Sequence, residues 1–103
     1  MVQYKLRILP AAQRDLREIV EYVNTLSEQA ALRLYDEIIA GIASLTEMPQ
    51  RCALLKAPEL RAKGYRSLRV KNYMVFYVIQ EDKARVQIRR ILYAKRQFES
   101  LLN

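Results

Sequence analysis

Histidine and tryptophan are absent from the 103 residues, cysteine occurs once, glycine twice and proline three times. Without imidazole no Ser-His-Asp or Cys-His nucleophile can be assembled, and one thiol with no imidazole leaves no ordinary zinc site. Acid-base chemistry, if there is any, falls to Lys, Tyr, carboxylates or water held by Arg. Gly41 and Gly64 stand alone, so no glycine-rich loop exists to cradle a phosphate. Cys52 has no partner for an internal disulfide and reads as a small apolar residue without a chemical role. No cofactor and no metal is expected. No uncharged apolar run approaches the roughly 18 residues of a membrane span. The opening "MVQYKLRILP" lacks the apolar stretch and small-residue cleavage site of a secretory signal, so a cytoplasmic location is expected.

What is present is a folded chain of one domain, residues 1–103, in which 51% of residues are apolar. The net charge of +7 is unevenly spread: residues 1–60 carry seven Lys/Arg against eight Asp/Glu, whereas residues 61–103 carry eleven against three. A cationic C-terminal part favours a polyanionic target or an acidic protein partner, because clustered cations steer oppositely charged surfaces.

Apolar periodicity divides the chain into elements. "QYKLRIL" alternates Tyr4, Leu6 and Ile8 against Lys5 and Arg7, the period of a half-buried strand. Pro10 suits the first turn of a helix, "PAAQRDLREIVEYVNT", whose Leu16, Ile19, Val20 and Val23 recur at helical spacing. Ser27 is the expected N-cap of a second helix, "EQAALRLYDEIIAGIASLTEM", striped by Ala31, Leu34, Tyr35, Ile38, Ile42 and Leu45. The short link between them predicts an antiparallel helical hairpin. Residues 49–63 have no sustained period and read as an irregular connection. "YRSLRV", "YMVFYVI" and "ARVQIRRILY" read as three strands, the last two joined by the polar turn "QEDK". In the last strand strict alternation sets Val86, Ile88, Arg90 and Leu92 against Arg85, Gln87, Arg89, Ile91 and Tyr93. "AKRQFESLL" reads as a short helix or tail. The order βααβββ predicts an α+β domain in which the hairpin covers one face of a small antiparallel sheet.

The other sheet face is then free. Lys5, Arg7, Arg69, Arg85 and Arg89 project there, interleaved with Tyr65, Tyr73, Tyr77 and Tyr93 if the odd-numbered residues of the middle strand face outward. Guanidinium groups bind phosphate bidentately and tyrosine rings stack on unpaired bases, so one reading is an RNA-contacting surface. Another is that the tyrosines pack across strands and the cations keep an exposed sheet solvated, and a third is that the face receives an apolar partner segment. Arg66 and Arg90 fall on the helix-covered side, where a carboxylate from Asp15, Glu18 or Asp36 is the expected partner.

The segment "GYRSLRVKNYMVFYVIQEDKARVQIRRILYAKRQFESLL", with "AAQRDLREIVEYV" and the helix ending "LTEMP" before it, resembles the RelE/ParE family of toxins from bacterial type II toxin-antitoxin modules, also known as plasmid stabilisation proteins. The likeness covers nearly the whole chain. It implies a helical hairpin on a small antiparallel sheet, a cognate acidic antitoxin assembling with the toxin as a hetero-oligomer, and growth arrest by one of two routes. RelE-like members cleave messenger RNA in the ribosome; here that role would fall to Arg69, Tyr93, Lys95 and Arg96. ParE-like members inhibit DNA gyrase, and a target-contacting surface would comprise Lys5, Arg7, Arg69, Lys71, Tyr73, Tyr77, Arg85 and Arg89. The cleaving branch is expected to carry an arginine after the Tyr that opens the third strand, and Met74 stands there. Loss of such a phosphate contact costs about 2 to 4 kcal/mol of transition-state stabilisation. The resemblance therefore leans to the gyrase-directed branch, with the messenger RNA endonuclease and a non-toxic basic binding module as alternatives.

Overall fold

One proline and one serine set where the two long helices begin. In the computed structural model, which describes residues 2–102, helix α1 runs Pro10–Asn24 and helix α2 runs Glu28–Ser44. Pro10 occupies the first turn of α1, where its missing N–H has no intrahelical partner to lose. Ser27 is extended, with φ −163° and ψ 121°, and its Oγ accepts the Ala30 backbone N–H at 3.2 Å. Such a cap stabilises a helix by about 1 kcal/mol. The buried stripe of α2 is Ala31, Leu34, Ile38 and Ile42, continued by Leu45 just beyond it. Tyr35, expected in that stripe, lies at its margin and is 44% exposed.

Strands β1 (Lys5–Ile8), β2 (Tyr65–Val70), β3 (Tyr73–Gln80) and β4 (Arg85–Tyr93) form one sheet in the order β1-β4-β3-β2. The β2-β3 and β3-β4 pairs are antiparallel. The sheet is nevertheless mixed, because β1 runs parallel to β4 with Lys5 beside Arg85 and Ile8 beside Ile88. The two hairpins occupy both sides of β3, which leaves an edge of β4 for β1. In that register Leu6 and Ile8 pack on the helical side with Val86 and Ile88. A network at the start of β1 fixes its position: the Tyr4 hydroxyl donates to Glu81 Oε1 at 2.6 Å, and Gln50 Nε2 donates to the Tyr4 hydroxyl at 2.7 Å.

Gly41 lets α2 approach the sheet closely. A Cβ at that position would stand 2.8 Å from Val70 Cγ2 and 3.4 Å from Leu68 Cδ2. Among the described residues the main core joins the hairpin to one sheet face through Leu16, Ile38, Ile42, Val75, Tyr77, Val86, Ile88 and Ile91. Fully burying each of the aliphatic members contributes about 1.5 to 3 kcal/mol.

The connection expected to be irregular holds a 3₁₀ turn at Pro49–Arg51 and a short helix α3, Pro58–Ala62. The tail forms helix α4, Glu99–Leu102. Both small helices lie over part of the second sheet face. There Leu60, Tyr65, Phe76, Leu92 and Leu102 make a second buried cluster, flanked by Met74, Val78, Phe98 and Leu101.

Candidate functional site

The placement of every candidate residue turns on one irregularity in β4. Opposite β3, Tyr77 pairs with Ile88 but Phe76 pairs with Arg90, so Arg89 is an extra residue and the strand carries a bulge. Val86 and Ile88 face the helices before the bulge, and Ile91 faces them after it. Strict alternation therefore fails from Arg90 onward: Leu92 turns to the second cluster, and Tyr93 stands with Tyr73. The adjacent pair Arg89-Arg90, which delays the next helix-facing apolar residue from 90 to 91, is the trace of the bulge in the sequence.

Arg90 uses this bulge to join three elements. Its Nε and Nη2 donate to the two carboxylate oxygens of Asp15 on α1 at 2.7 and 2.9 Å, and its Nη1 donates to the Leu101 carbonyl of α4 at 3.3 Å. Asp15 also accepts the Ile91 backbone N–H at 3.0 Å, beyond the end of β1 where β4 has lost its ladder neighbour. The Asp15 hydrogen bonds raise the Arg90 guanidinium above its ordinary value. Asp15 was one of three carboxylates expected to meet Arg90. Among the described residues Arg66 forms no ion pair with a carboxylate; its Nη1 donates to the carbonyls of Cys52 at 2.6 Å and Gln50 at 3.2 Å.

The second sheet face is divided. On its β1-β4 half, Lys5, Arg7, Arg85, Gln87 and Arg89 make a cationic strip, since Leu6, Ile8, Val86 and Ile88 occupy the opposite side. Arg89 is steadied by its neighbours: Nε donates to Gln87 Oε1 at 2.9 Å, and the guanidinium lies 5.6 Å from the centroid of the Tyr65 ring. The β2-β3 half is apolar and lies under α3 and α4. Tyr65 is buried in it, and its hydroxyl donates to the Leu102 carbonyl at 3.0 Å.

Three tyrosines expected on the open face, Tyr73, Tyr77 and Tyr93, are not there. The odd-numbered residues of β3 face the hairpin, because Val75 and Tyr77 belong to the main core while Phe76 belongs to the second cluster. Tyr77 is fully buried and its hydroxyl donates to the Pro49 carbonyl at 2.6 Å. Burial, then a hydrogen bond to Cys52, pushes its phenol far above the ordinary value. Tyr77 thus anchors the 3₁₀ turn and offers no ring to a ligand. Tyr73 packs at the margin of the same core and meets Tyr93 edge-on, with ring centroids 5.8 Å apart.

The remaining candidates separate. Arg69 is exposed on the second face near the β2-β3 turn, and its Nε donates to the Lys71 carbonyl at 2.7 Å. Lys71 adopts φ +53° in that turn and pairs with Glu37 of α2 at 3.4 Å. Lys95 and Arg96 are exposed beyond β4, and Arg96 joins Tyr93, Tyr73, Tyr22 and Glu18 around a recess of about 210 Å³ on the α1 side. Arg69 and Arg96 therefore lie toward opposite faces of the sheet. Sequence patterning missed Asp15 as the definite Arg90 partner, Gln87 as the support of Arg89, and Tyr22, which is 64% exposed.

Residues 6–98 match the family described as the ParE toxin of the type II toxin-antitoxin system, parDE. The chain belongs to that family. Among solved structures, it resembles a chain of the chromosomal ParDE toxin-antitoxin system from P. aeruginosa, with 20% identity and a TM-score of 0.73 over 92% of this chain and 100% of that one. It also resembles a chain of the RelBE2 toxin-antitoxin complex from Mycobacterium tuberculosis, with 22% identity and a TM-score of 0.69 over 89% and 99%. At these identities the likeness establishes a shared RelE/ParE fold. No curated protein matches the chain. As a ParE-family member it is the toxin of a type II toxin-antitoxin system, and no helix among the described residues is long and apolar enough to cross a membrane.

Proposed function

We propose that this toxin arrests growth by binding DNA gyrase, and that it works by contact without cutting RNA. The observation that carries this reading is the dispersal of the residues a nuclease would need. Arg69 points from the second face and is tied to its own turn, whereas Tyr93 and Arg96 border a recess on the α1 side. General acid-base catalysis requires its groups within about 3 Å of one reacting atom, and side chains on opposite sheet faces do not meet at such a point. Met74, in the position where the cleaving branch is expected to carry an arginine, packs against the apolar second cluster. The match to the ParE branch supports the same choice of target.

The cationic strip of Lys5, Arg7, Arg85 and Arg89 is the surface we assign to first contact. A gyrase molecule engaged on DNA is strongly anionic in its surroundings, and a strip of one sign raises encounter rates through steering. The test is a supercoiling assay with the purified chain. Inhibited supercoiling with accumulated DNA breaks at micromolar protein is the expected result. Unaffected supercoiling, together with ribosome-dependent mRNA cleavage that disappears in Arg96→Ala, would replace this reading with the endonuclease.

A further inference from the structure

Two backbone carbonyls of α4 are held by side chains that start from the sheet. The Leu102 carbonyl accepts the Tyr65 hydroxyl at 3.0 Å, and the Leu101 carbonyl accepts Arg90 Nη1 at 3.3 Å. Tyr65 is buried in the second cluster, yet the Arg89 guanidinium lies 5.6 Å from its ring centroid, and Arg89 Nη1 comes within 3.5 Å of its hydroxyl. A phenol oxygen whose proton is committed to a carbonyl keeps its lone pairs for other donors, so the Leu102 carbonyl fixes Tyr65 as an acceptor toward Arg89. The cation in turn makes the hydroxyl a stronger donor, and each bond strengthens the other. Arg89 is thus where the cationic strip meets the roofed half of the face.

We propose that Tyr65 is a positioning residue that couples the seating of α4 to the contact strip. With α4 seated, Gln87 Oε1 takes Arg89 Nε and the Tyr65 oxygen takes an Nη1 hydrogen, so the guanidinium is held in one orientation and its other N–H groups are left to an anion. An oriented fork receives a phosphate or sulfate bidentately, whereas a freely turning one must first be ordered, which weakens binding. With α4 lifted, the hydroxyl loses its acceptor and turns freely, and Arg89 loses a restraint. Linkage makes the effect mutual: an anion on Arg89 holds α4 down by the same factor by which seated α4 improves the anion's site. The inference rests on the reading of the strip as a contact surface and holds whichever macromolecule the strip meets.

The test uses the full isotope-labelled chain in NMR, with heparin as the polyanion. Two uncharged substitutions break the link at different points: Tyr65→Phe removes the hydroxyl and keeps the ring, and Phe98→Ala loosens α4 against Phe76, whose ring centroid is 4.8 Å from that of Phe98. Both are expected to speed hydrogen exchange at Arg89 Nε without any ligand, and to weaken heparin binding about fivefold although neither alters a charge. In the unmodified chain heparin is expected to slow amide exchange about fivefold at Leu101 and Leu102, which donate to the Phe98 carbonyl at 2.9 and 3.1 Å, and in Tyr65→Phe this protection disappears. Denaturant melts set conditions in which both variants are folded; there a merely structural role leaves Arg89 exchange and heparin affinity unmoved. Unchanged Arg89 exchange in Tyr65→Phe, or unchanged exchange at Leu101 and Leu102 with heparin bound to the strip, would overturn the proposal. Heparin binding insensitive to Lys5→Gln and Arg85→Gln, with Arg89 still freed in Tyr65→Phe, would sink the contact reading of the strip and support the tie between α4 and Arg89, which is read without a ligand.

Discussion

The two halves of the second sheet face obey the same alternation and end in opposite states. The β2-β3 half presents Tyr65, Met74, Phe76 and Val78 and is roofed by α3 and α4. The β1-β4 half presents Lys5, Arg7, Arg85 and Gln87 and has no such roof. Connectivity explains the difference. The chain approaches β2 through residues 49–63 and leaves β4 through the tail, and both segments bring leucines, Leu55 and Leu60 in one and Leu101 and Leu102 in the other, over the apolar half. Leaving that half bare would expose a contiguous apolar patch, which monomers seldom tolerate. The cationic half gains nothing from cover, because burying unpaired guanidinium groups is costly. One face thus carries both a second core and an open contact surface.

Removing a side chain from the roofed half is expected to have the largest effect. Phe76 is buried at the centre of the second cluster and stacks against Phe98 with ring centroids 4.8 Å apart. Phe76→Ala is expected to cost about 3 to 5 kcal/mol in chemical denaturation. A loss below about 1 kcal/mol would mean that α3 and α4 rest loosely on the sheet and that the two halves differ little.

Asp15 ties α1 to β4 and, through Arg90, to α4 of the roof, and its loss is expected to rank second. Asp15→Ala leaves a partly buried guanidinium and the Ile91 backbone N–H without their acceptor. Breaking such a pair costs about 3 kcal/mol or somewhat less, since the Arg90 side chain retains 24% exposure. Amide exchange should accelerate at Ile91 and in α4 together, because Arg90 also donates to the Leu101 carbonyl. Faster exchange at Ile91 with α4 unchanged would show that the link to the tail carries no energy.

How far these contrasts could be read beforehand depends on the range of the interactions behind them. The helix starts at Pro10 and Ser27, the hairpin, and the strand order along the chain rest on local turn chemistry and short periods, and all were legible. The faces of β3 were not, because "YMVFYVI" is apolar on both sides and its alternation is silent. The parallel seat of β1 depends on which sheet edge remains vacant after both hairpins form, a property of the whole fold. The bulge left only the doubled arginine as a mark. The roof of the second face is built by runs too short for a period to register, "ALLKAPEL" and "FESLL". Of the candidate surface, Lys5, Arg7, Arg85 and Arg89 were read onto the correct face, while Tyr73 and Tyr77 were misassigned with the silent strand and Tyr93 with the bulge.

Alkaline pH provides a smaller test, on the helix side of the same strands. The Tyr77 phenol lies above its unfolded value of 10.0 because burial disfavours the charged form. The folded state therefore holds its proton where the unfolded state has begun to lose it, so this contribution to stability is whole below pH 10 and declines as pH rises from there. The decline approaches about 1.4 kcal/mol per pH unit for one proton. Tyr77→Phe removes the hydrogen bond to Pro49, lowering stability by about 1 kcal/mol at neutral pH, and should flatten the alkaline slope relative to the unmodified chain. Parallel slopes would indicate that the other tyrosines account for the titration.

The smallest expected change in stability falls on the unroofed half, and there its sign is the informative quantity. Lys5 stands directly beside Arg85 in the parallel register, a like-charge pair of the kind that opposes sheet formation by a few tenths of a kcal/mol. Lys5→Gln is therefore expected to leave stability unchanged or raise it within about 0.5 kcal/mol, while the salt dependence of binding to a generic polyanion such as heparin becomes shallower by about one ion. Stability and contact would then move in opposite directions at one residue. A cationic pair retained against its own folding cost is what a surface selected for contact predicts, whereas a marked loss of stability in Lys5→Gln would mean that the strip serves the fold.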